Sequence, residues 1–497
     1  MKIALVNPPN LKLQYEDSGY KCVHLGIGYI AAELENNGFE VDIYECNLYD
    51  ICFDKLINNL SENDYFMVGI TTYYFNIMQT YRILRKVKST NKSIITFVGG
   101  IYASMNYTDI LKNSFVDFCS IGEGEKNVVE LAKCIANGLD IKKVDGIAFK
   151  NCGEIEVHKN KTFIDNLDEL YFPKRVYYYK NSISSIIASR GCNGNCSFCG
   201  IINYYSKFTT RNIRIRTPKN VVDEIEILVK KNNVKYIYFQ DENIFVTLLK
   251  DKFWIEDFCN EISRRNLHFK FYAYARADNI IENKKELDLL KQAGLDCLFV
   301  GIESFTERQL QLYEKRISIN TNFEVLQIIK NLDIKINIGF ILFDPYLTLE
   351  EYKQNIMFLN KSRFYEFAFF SQSPISCLDP MYPMPNTKFY NQISNEKIFD
   401  QTVFFKYHFY NKEVESLFYK LTPWKNIVRN KYVEIDKEYE KIPFDDKDKE
   451  KDCLDKLRNL LKIDIMYLNS IVEDNRVVSE NKCKHLFDYY SKKIIEI

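Results

Sequence analysis

The sequence predicts an α/β chain in three parts: a doubly wound parallel sheet, a partial (β/α)6 barrel, and a mostly helical C-terminal region. Three observations lead there. Short apolar runs alternate with helical periodicity from the first residues to about 148. The alternation restarts near 184 and continues through six units to about 380. Between them, 149–183 reads as a linker, and over 381–497 the alternation is lost. Strand–helix alternation of this kind gives parallel sheets covered on their faces by helices.

In the first part, Ile3–Val6 reads as a buried strand ending at Asn7-Pro8-Pro9, and Gly26–Asn37 as a helix stopped by Gly38. Further strands are expected at Val41–Tyr44, Phe66–Thr71, Ile94–Val98 and Val116–Ile121. Helices are expected over Met78–Lys88 and from the last strand to Asn137. Ligands bind such sheets at the carboxyl ends of strands. The glycine-rich turns Gly99-Gly100 and Gly122-Glu123-Gly124-Glu125 fall at those ends.

The linker contains the run Phe163 to Arg175, with Pro173 and mixed charges, which suits an exposed crossing. Barrel strands are expected at Ser185–Ala188, Tyr236–Gln240, Phe269–Tyr274, Leu298–Ile302, Ile334–Ile341 and Phe367–Ser371. Thr217-Pro218 reads as a helix cap followed by an N1 proline. Val221, Val222, Ile225, Leu228 and Val229 then form one apolar face. Beyond 380, Asp445–Lys451 is a charged run, and Leu454–Ile471 and Lys484–Ile495 have amphipathic periodicity. The expectation for this region is a helical cap over the barrel mouth that contacts substrate.

Composition narrows the classes. The 497 residues carry 67 acidic and 67 basic side chains, so the formal net charge is zero and no global field attracts nucleic acid. No apolar run reaches the ~18 residues of a membrane helix, and Met1–Val6 runs straight into a strand with no secretory pattern. The 14 cysteines are scattered except for one triplet. Free thiols suit a reducing, cytoplasmic setting.

That triplet is the sharpest signal in the chain. Cys192, Cys196 and Cys199 place three thiols inside eight residues at CxxxCxxC spacing, just after the apolar run 186–188. A [4Fe–4S] cluster normally takes four cysteine ligands. Three, with no fourth in the loop, leave one iron open to a substrate or cofactor. A structural zinc site would need a second close pair of ligands, and the sequence has none.

This loop resembles the signature of the radical S-adenosylmethionine (SAM) enzymes. Asn7-Pro8-Pro9, the run 25–32, Gly99-Gly100 and Gly122-Glu123-Gly124-Glu125 together resemble the cobalamin-binding domain that precedes many such barrels. The resemblance implies a [4Fe–4S] cluster on Cys192, Cys196 and Cys199, with SAM on the open iron. It implies SAM contacts from Phe198, Asp241, Glu242, Arg276, Glu303 and Ser304, each of which could instead serve as a cap, an ion pair or packing. It implies cobalamin contacts from Thr71, Thr72, Tyr73 and Tyr74, from Gly99, Gly100 and Tyr102, and from Gly122, Glu123 and Gly124. The motif that supplies cobalt with a lower histidine is absent; His24 does not match it, so cobalt without a protein histidine is expected.

As implied activity, the family suggests methyl transfer to an unactivated carbon of a peptide or small natural product through a 5′-deoxyadenosyl radical. Flavodoxin or ferredoxin would donate electrons, and neither nucleic acid nor membrane would take part. Three readings compete: a non-methylating rearrangement or oxidation, with or without cobalamin; a tRNA methylthiotransferase, which lacks support in extra cluster cysteines or a basic tail; and a non-catalytic Fe–S or zinc protein.

Overall fold

The computed structural model describes residues 1–9, 23–159, 164–176, 182–208, 213–369, 379–396, 399–400 and 406–497. Its first part contains β1 (Lys2–Asn7), α1 (Leu25–Asn36), β2 (Glu40–Glu45), α2 (Phe53–Glu62), β3 (Tyr65–Thr71) and α3 (Ile77–Thr90). β4 (Ile95–Gly99), α4 (Ile101–Ile110), β5 (Phe118–Ser120) and α5 (Gly124–Ala136) follow. The sheet order is β2-β1-β3-β4-β5, parallel throughout. Leu56, Leu60, Ile83, Leu84 and Ile110 cover one face. Ile27, Ala31, Leu34, Val128 and Leu131, from α1 and α5, cover the other.

The sheet does not stop at 148, where the linker was expected to begin. β6 (Ile147–Asn151) and β7 (Glu154–His158) add an antiparallel hairpin to its edge. Cys152 and Gly153 turn it with positive φ. The hairpin breaks the strand–helix rhythm, which is why that rhythm placed a linker over it.

The second part opens with β8 (Ile183–Ile186) and the short β9 (Ser189–Arg190), followed by α6 (Gly200–Phe208). Then come β10 (Arg214–Ile215), α7 (Pro218–Glu226), β11 (Tyr236–Phe239), α8 (Trp254–Arg264), β12 (Lys270–Arg276), α9 (Ala277–Glu282) and α10 (Lys284–Gln292). β13 (Leu295–Glu303), α11 (Glu307–Leu312), α12 (Ile319–Asn331), β14 (Lys335–Phe340) and α13 (Leu349–Ser362) complete it. Strands β8-β11-β12-β13-β14 form one parallel sheet. The expected sixth strand joins β14 through a parallel bridge between Ile336 and Ala368; Phe370 and Ser371 lie outside the described residues. Thr217 caps α7 by accepting from Asn220 N, with Pro218 at its first turn.

The C-terminal part contains α14 (Lys388–Asn395), α15 (Lys412–Tyr439), α16 (Lys447–Ser470) and α17 (Glu480–Ile495). α15 was not expected from sequence: it carries Pro423 inside its span, a residue that ordinarily interrupts a helix. Its partner across the bundle holds it. Trp424 stacks near Tyr467 with ring centroids 4.0 Å apart and donates from Nε1 to Asp464 at 2.8 Å. The charged run 445–451 is ordered as the start of α16, capped by Asp446.

The cap expectation is corrected for α16. Glu450 meets Lys335 Nζ at 2.7 Å, and Lys335 is the first residue of β14. Arg458 donates to Ala368 O, and Tyr352 of α13 donates to Leu468 O. This helix therefore closes the open edge of the barrel and the entry end of its strands. The segment beside the cluster loop is instead 381–396, where Phe389 N donates to Ser197 O at 3.0 Å. Among the described residues no helix is long and apolar enough to cross a membrane.

One buried triad ties the linker to the barrel. Glu224, 1% exposed, is held by Arg175 and, at 2.6 Å, by Arg216 Nη1. The two guanidiniums hold its carboxyl below the usual range against burial, which raises it. Glu224→Ala leaves two buried cations facing each other and is expected to lower stability by about 3–5 kcal/mol, measured as an earlier unfolding midpoint in urea.

Candidate functional site: two cofactor cradles facing one cavity

The cysteine loop leaves β9, which pairs antiparallel with β10 further along the chain. Gly191, at φ 112°, makes the entry turn in a region closed to most side chains. Neighbouring elements pin the loop. Ser197 donates from N to Tyr313 O (2.9 Å) and from Oγ to Leu312 O (2.7 Å). Asn195 donates to Glu314 Oε2 at 2.6 Å. Asn193, Asn243 and Asn279 form a chain of side-chain amides at 2.6 to 3.3 Å. These polar anchors were not singled out from sequence, because nothing local distinguishes an asparagine that braces a loop from one that faces water.

The three thiols are partly buried and close enough to influence one another's charge. Burial raises Cys192 and pushes Cys199 up to about 11, a cost that coordination removes because a metal-bound thiol is deprotonated. Donors already point at the sulfurs: Gly194 N at 3.3 Å from Cys192 Sγ, and Arg276 Nη1 at 3.6 Å from Cys196 Sγ. A Cβ at Gly194 would lie 2.8 Å from Arg276 Nη1. Among the described residues no three His, Cys, Asp or Glu side chains converge on a single ion. Cluster thiolates ligate separate irons, so this loop suits a [4Fe–4S] core, whose thiolate-ligated form is anionic.

Glu303 and Lys315 meet beside this loop. Glu303 ends β13 with φ 62°, a left-handed conformation unusual for a non-glycine residue. Its Oε1 accepts from Lys315 Nζ at 2.7 Å, and both side chains are buried. Lys315 also lies near enough to Cys196 to feel its charge. A Cβ at Gly301 would sit 2.4 Å from Lys315 Nζ. A carboxylate and an ammonium side by side complement an amino-acid zwitterion such as the methionine end of SAM. Lys315 escaped the sequence reading because it sits in no strand-end motif; its only signal was a lysine in the segment following the fourth barrel strand.

The other expected SAM contacts have these surroundings. Ser304 is fully buried, with its hydroxyl within hydrogen-bond reach of Gln309 Oε1 (2.7 Å) and Asn355 Oδ1 (3.1 Å), so it serves the packing behind the strand end. Asp241, also buried, accepts from Ala188 N at 3.0 Å and from Ser189 Oγ, bracing the strand that leads into the cysteines; burial pushes its carboxyl up to about 7. Glu242 accepts from Gly191 N (3.3 Å) and Tyr205 Oη (3.1 Å) and faces the space between the domains. Arg276 is held by Asp278 (2.8 Å) and Lys315 O (2.9 Å). Phe198 packs edge-on against Tyr313.

A cavity of about 280 Å³ lies between the two domains. Thr71, Tyr73, Gly99, Gly100, Gly122, Glu123 and Gly124 line one side, with Leu5, Gly69, Phe97 and Val128 along the sheet face. Arg190, Tyr204, Tyr205 and Glu242, all beside the cysteine loop, line the other. Gly100 (φ 93°) and Gly122 (φ 78°) need their freedom, and a Cβ at Gly124 would lie 2.8 Å from Ile30. This glycine cradle over an apolar channel suits the phosphate, ribose and base of a nucleotide tail such as that of cobalamin. Three expected contacts lie elsewhere. Thr72 is buried with Oγ1 donating to Gly99 O (2.7 Å) and accepting from Ala103 N. Tyr74 and Tyr102 pack edge-to-face on each other, ring centroids 4.7 Å apart.

The carboxylate of Glu123 points at the barrel. Arg214 grips it in a fork at 2.6 and 2.7 Å, and Arg190 Nη1 reaches it at 3.1 Å. Arg190 also meets Glu125 at 2.5 Å.

Replacing Cys192, Cys196 or Cys199 by alanine is expected to cut iron and acid-labile sulfide to background after anaerobic reconstitution, while Cys259→Ala, on α8, leaves both unchanged.

Comparison with known proteins agrees with this geometry. The B12 binding domain model matches residues 15–132, and the radical SAM superfamily model matches 186–359. The anaerobic magnesium-protoporphyrin IX monomethyl ester cyclase of Rubrivivax gelatinosus is 29% identical over 330 residues, 64% of this chain and 58% of that protein. The hopanoid C-3 methylase of Methylococcus capsulatus is 26% identical over 359 residues, 69% of this chain and 65% of that protein. This chain therefore spans less than two thirds of the length of either relative. The solved structure of the cobalamin-dependent SAM radical enzyme OxsB with aqua-cobalamin superposes with a TM-score of 0.80 at 18% identity, covering 100% of this chain and 80% of that one. The cofactors of such a pairing of domains are a [4Fe–4S] cluster, SAM and cobalamin. The chain thus carries a B12 binding domain followed by a radical SAM domain.

Proposed function

We propose that this protein is a cobalamin-dependent radical SAM methyltransferase that acts on an unactivated carbon of a peptide or small natural product. One observation carries the reading. The glycine cradle of the first domain and the residues around the cysteine loop face each other across a single cavity, so two cofactors can serve one reaction path. When bound, the cluster and SAM supply a 5′-deoxyadenosyl radical that removes hydrogen from the substrate, and cobalamin supplies the methyl group.

The chain's own residues position and shield. Lys315 holds the SAM carboxylate and Glu303 the ammonium or ribose hydroxyls. Phe198 borders the adenine. Arg276 and Gly194 N donate to cluster sulfurs, which stabilises their negative charge. Asp241 and Glu242 both hold residues 188–191, the chain that leads into the cysteine loop. Tyr204 and Tyr205 wall the cavity and exclude water from it. A flavodoxin or ferredoxin in the cytoplasm would supply electrons.

A second reading, ring closure or oxidation without methyl transfer, is favoured by the cyclase among the relatives. Supplying SAM with a deuterated methyl group separates the two. Methyl transfer places three deuterons in the product and releases S-adenosylhomocysteine as well as 5′-deoxyadenosine and methionine; ring closure releases 5′-deoxyadenosine and methionine without S-adenosylhomocysteine. In the same assay Lys315→Met is expected to weaken SAM binding roughly tenfold or more, the loss of one charge-assisted contact with its buried partner left unpaired, seen as a raised KM with iron content unchanged.

A further inference from the structure

We propose that four tyrosines stacked inside the barrel, Tyr274, Tyr272, Tyr238 and Tyr236, form a relay that quenches the 5′-deoxyadenosyl radical when no substrate is in place and carries the unpaired electron to the base of the barrel. The inference rests on the radical chemistry proposed above, and on neither methyl transfer nor cobalamin.

Strand register builds the stack. Successive residues of a strand alternate between its faces, so Tyr236 and Tyr238 share one face of β11, and Tyr272, Tyr274 and Arg276 share one face of β12. Phe239 and Phe271 point the other way and pack on Phe258 of α8. Across the strands Tyr238 pairs with Tyr272, and Tyr274 with Phe299 of β13. Ring centroids lie 5.2 Å apart for Phe299 and Tyr274, 5.3 Å for Tyr274 and Tyr272, 4.9 Å for Tyr272 and Tyr238, and 5.2 Å for Tyr238 and Tyr236. Branched aliphatic residues ordinarily fill a barrel interior. Four phenols in line bring hydroxyls that packing does not need.

The upper end of the stack reaches the SAM site. Arg276, two residues beyond Tyr274 on the same face, donates to Cys196 Sγ at 3.6 Å. A Cβ at Gly339 would stand 2.9 Å from Phe299 Cζ and 3.4 Å from Glu303 Oε2, so the Tyr274–Phe299 pair lies next to the Glu303 carboxylate. Tyr274 is half-buried, whereas the other three tyrosines are buried. The lower end reaches the surface. Tyr236 donates from Oη to Asp296 Oδ2 at 3.2 Å, and Lys270 Nζ, on a side chain 39% exposed, lies 3.4 Å from Asp296 Oδ1. Tyr236 and Lys270 line a cavity of about 110 Å³ together with Tyr439 and Phe444.

A phenolic O–H bond is weaker than a primary C–H bond, so the radical takes a hydrogen atom from Tyr274. The O–H bond breaks, the C–H bond of 5′-deoxyadenosine forms, and Tyr274 is left as a phenoxyl. Each further transfer brings one electron and one proton from the next tyrosine down the stack. Tyr272 starts neutral, because burial raises its phenol well above the ordinary value, and its hydroxyl is within hydrogen-bond reach of Tyr274. At Tyr236 one electron from the low-potential donor that also reduces the cluster, and one proton from solvent, restore the phenol. The net reaction adds one electron and one proton to the radical and leaves the protein unmodified.

The test omits substrate. The reconstituted full chain, SAM and dithionite are mixed in D2O without thiols, and the 5′-deoxyadenosine formed is analysed by mass spectrometry. Parallel samples are freeze-quenched for EPR at a temperature where the cluster signal is broadened away, with and without ring-deuterated tyrosine. Wild type is expected to give 5′-deoxyadenosine carrying one deuteron from the exchangeable hydroxyl, and a radical signal that narrows with the label. Tyr274→Phe keeps the ring and is expected to lose both, with iron content unchanged. Tyr238→Phe is expected to keep the deuteron and to change the hyperfine pattern, since the radical then stops in the upper half of the stack. Tyr81→Phe, on α3, is expected to match wild type. Undeuterated product in wild type would overturn the proposal, as would a deuteron and a signal that survive in Tyr274→Phe. A Tyr238→Phe spectrum identical to wild type would overturn the relay. A wild type that forms no 5′-deoxyadenosine would overturn the radical reading itself, whereas a failure of methylation is a separate result.

Discussion

Four buried charges hold the two domains of this protein in register. Glu123 and Glu125 come from the turn after β5, and Arg190 and Arg214 from the paired strands β9 and β10. All four side chains are at most 11% exposed. Burying such groups costs several kcal/mol per ion unless each is paired with good geometry. Here the fork of Arg214 on Glu123 and the double reach of Arg190 provide that geometry. The charges sum to zero, so the interface tolerates no one-sided change. Glu123 lies between the two cradle glycines, and Arg190 lies two residues before Cys192. Fixing these side chains to each other therefore fixes the cobalamin cradle relative to the cluster loop.

The rest of the interface follows the same logic. Lys174 of the linker approaches Gly28 so closely that a Cβ there would stand 2.7 Å from its carbonyl oxygen. Arg190 lies over the Tyr29 ring at 5.4 Å. Backbone contact, ion pairs and aromatic faces thus converge on the N-terminal end of α1, beside the cavity. The left-handed Glu303 is the corresponding local constraint inside the barrel. Its conformation is held by β14 through Ile341 N, which donates to Glu303 O at 2.8 Å.

The fold was legible because its signals are local. Apolar runs and helical stripes mark both parallel sheets, and Thr217-Pro218 marks a helix start from sequence alone. The hairpin at 147–158 and the long α15 were not legible, since the first departs from the alternation and the second depends on Trp424 finding Asp464 and Tyr467 across the bundle. The site divides the same way. Three cysteines in one loop announce themselves, and glycines at strand ends mark a cradle. Side chains whose meaning depends on distant partners did not. Lys315 acquires its setting from Glu303, and Glu123 from two arginines more than sixty residues away in sequence. Ser304, Thr72 and Tyr102 sit in the right motifs but face the packing, because a motif gives position along the chain and not the direction of a side chain.

The central claim is that a single chain holds cobalt in the cavity between its domains and iron on the cysteine loop next to that cavity's barrel-side wall. Anomalous diffraction at the iron and cobalt edges, from crystals of the reconstituted, cobalamin-loaded protein, tests it most directly. The account predicts an iron peak at the loop of Cys192, Cys196 and Cys199, and a cobalt peak inside the cavity between Gly100 and Arg190. A cobalt peak outside that cavity, or iron held away from those three cysteines, would contradict it.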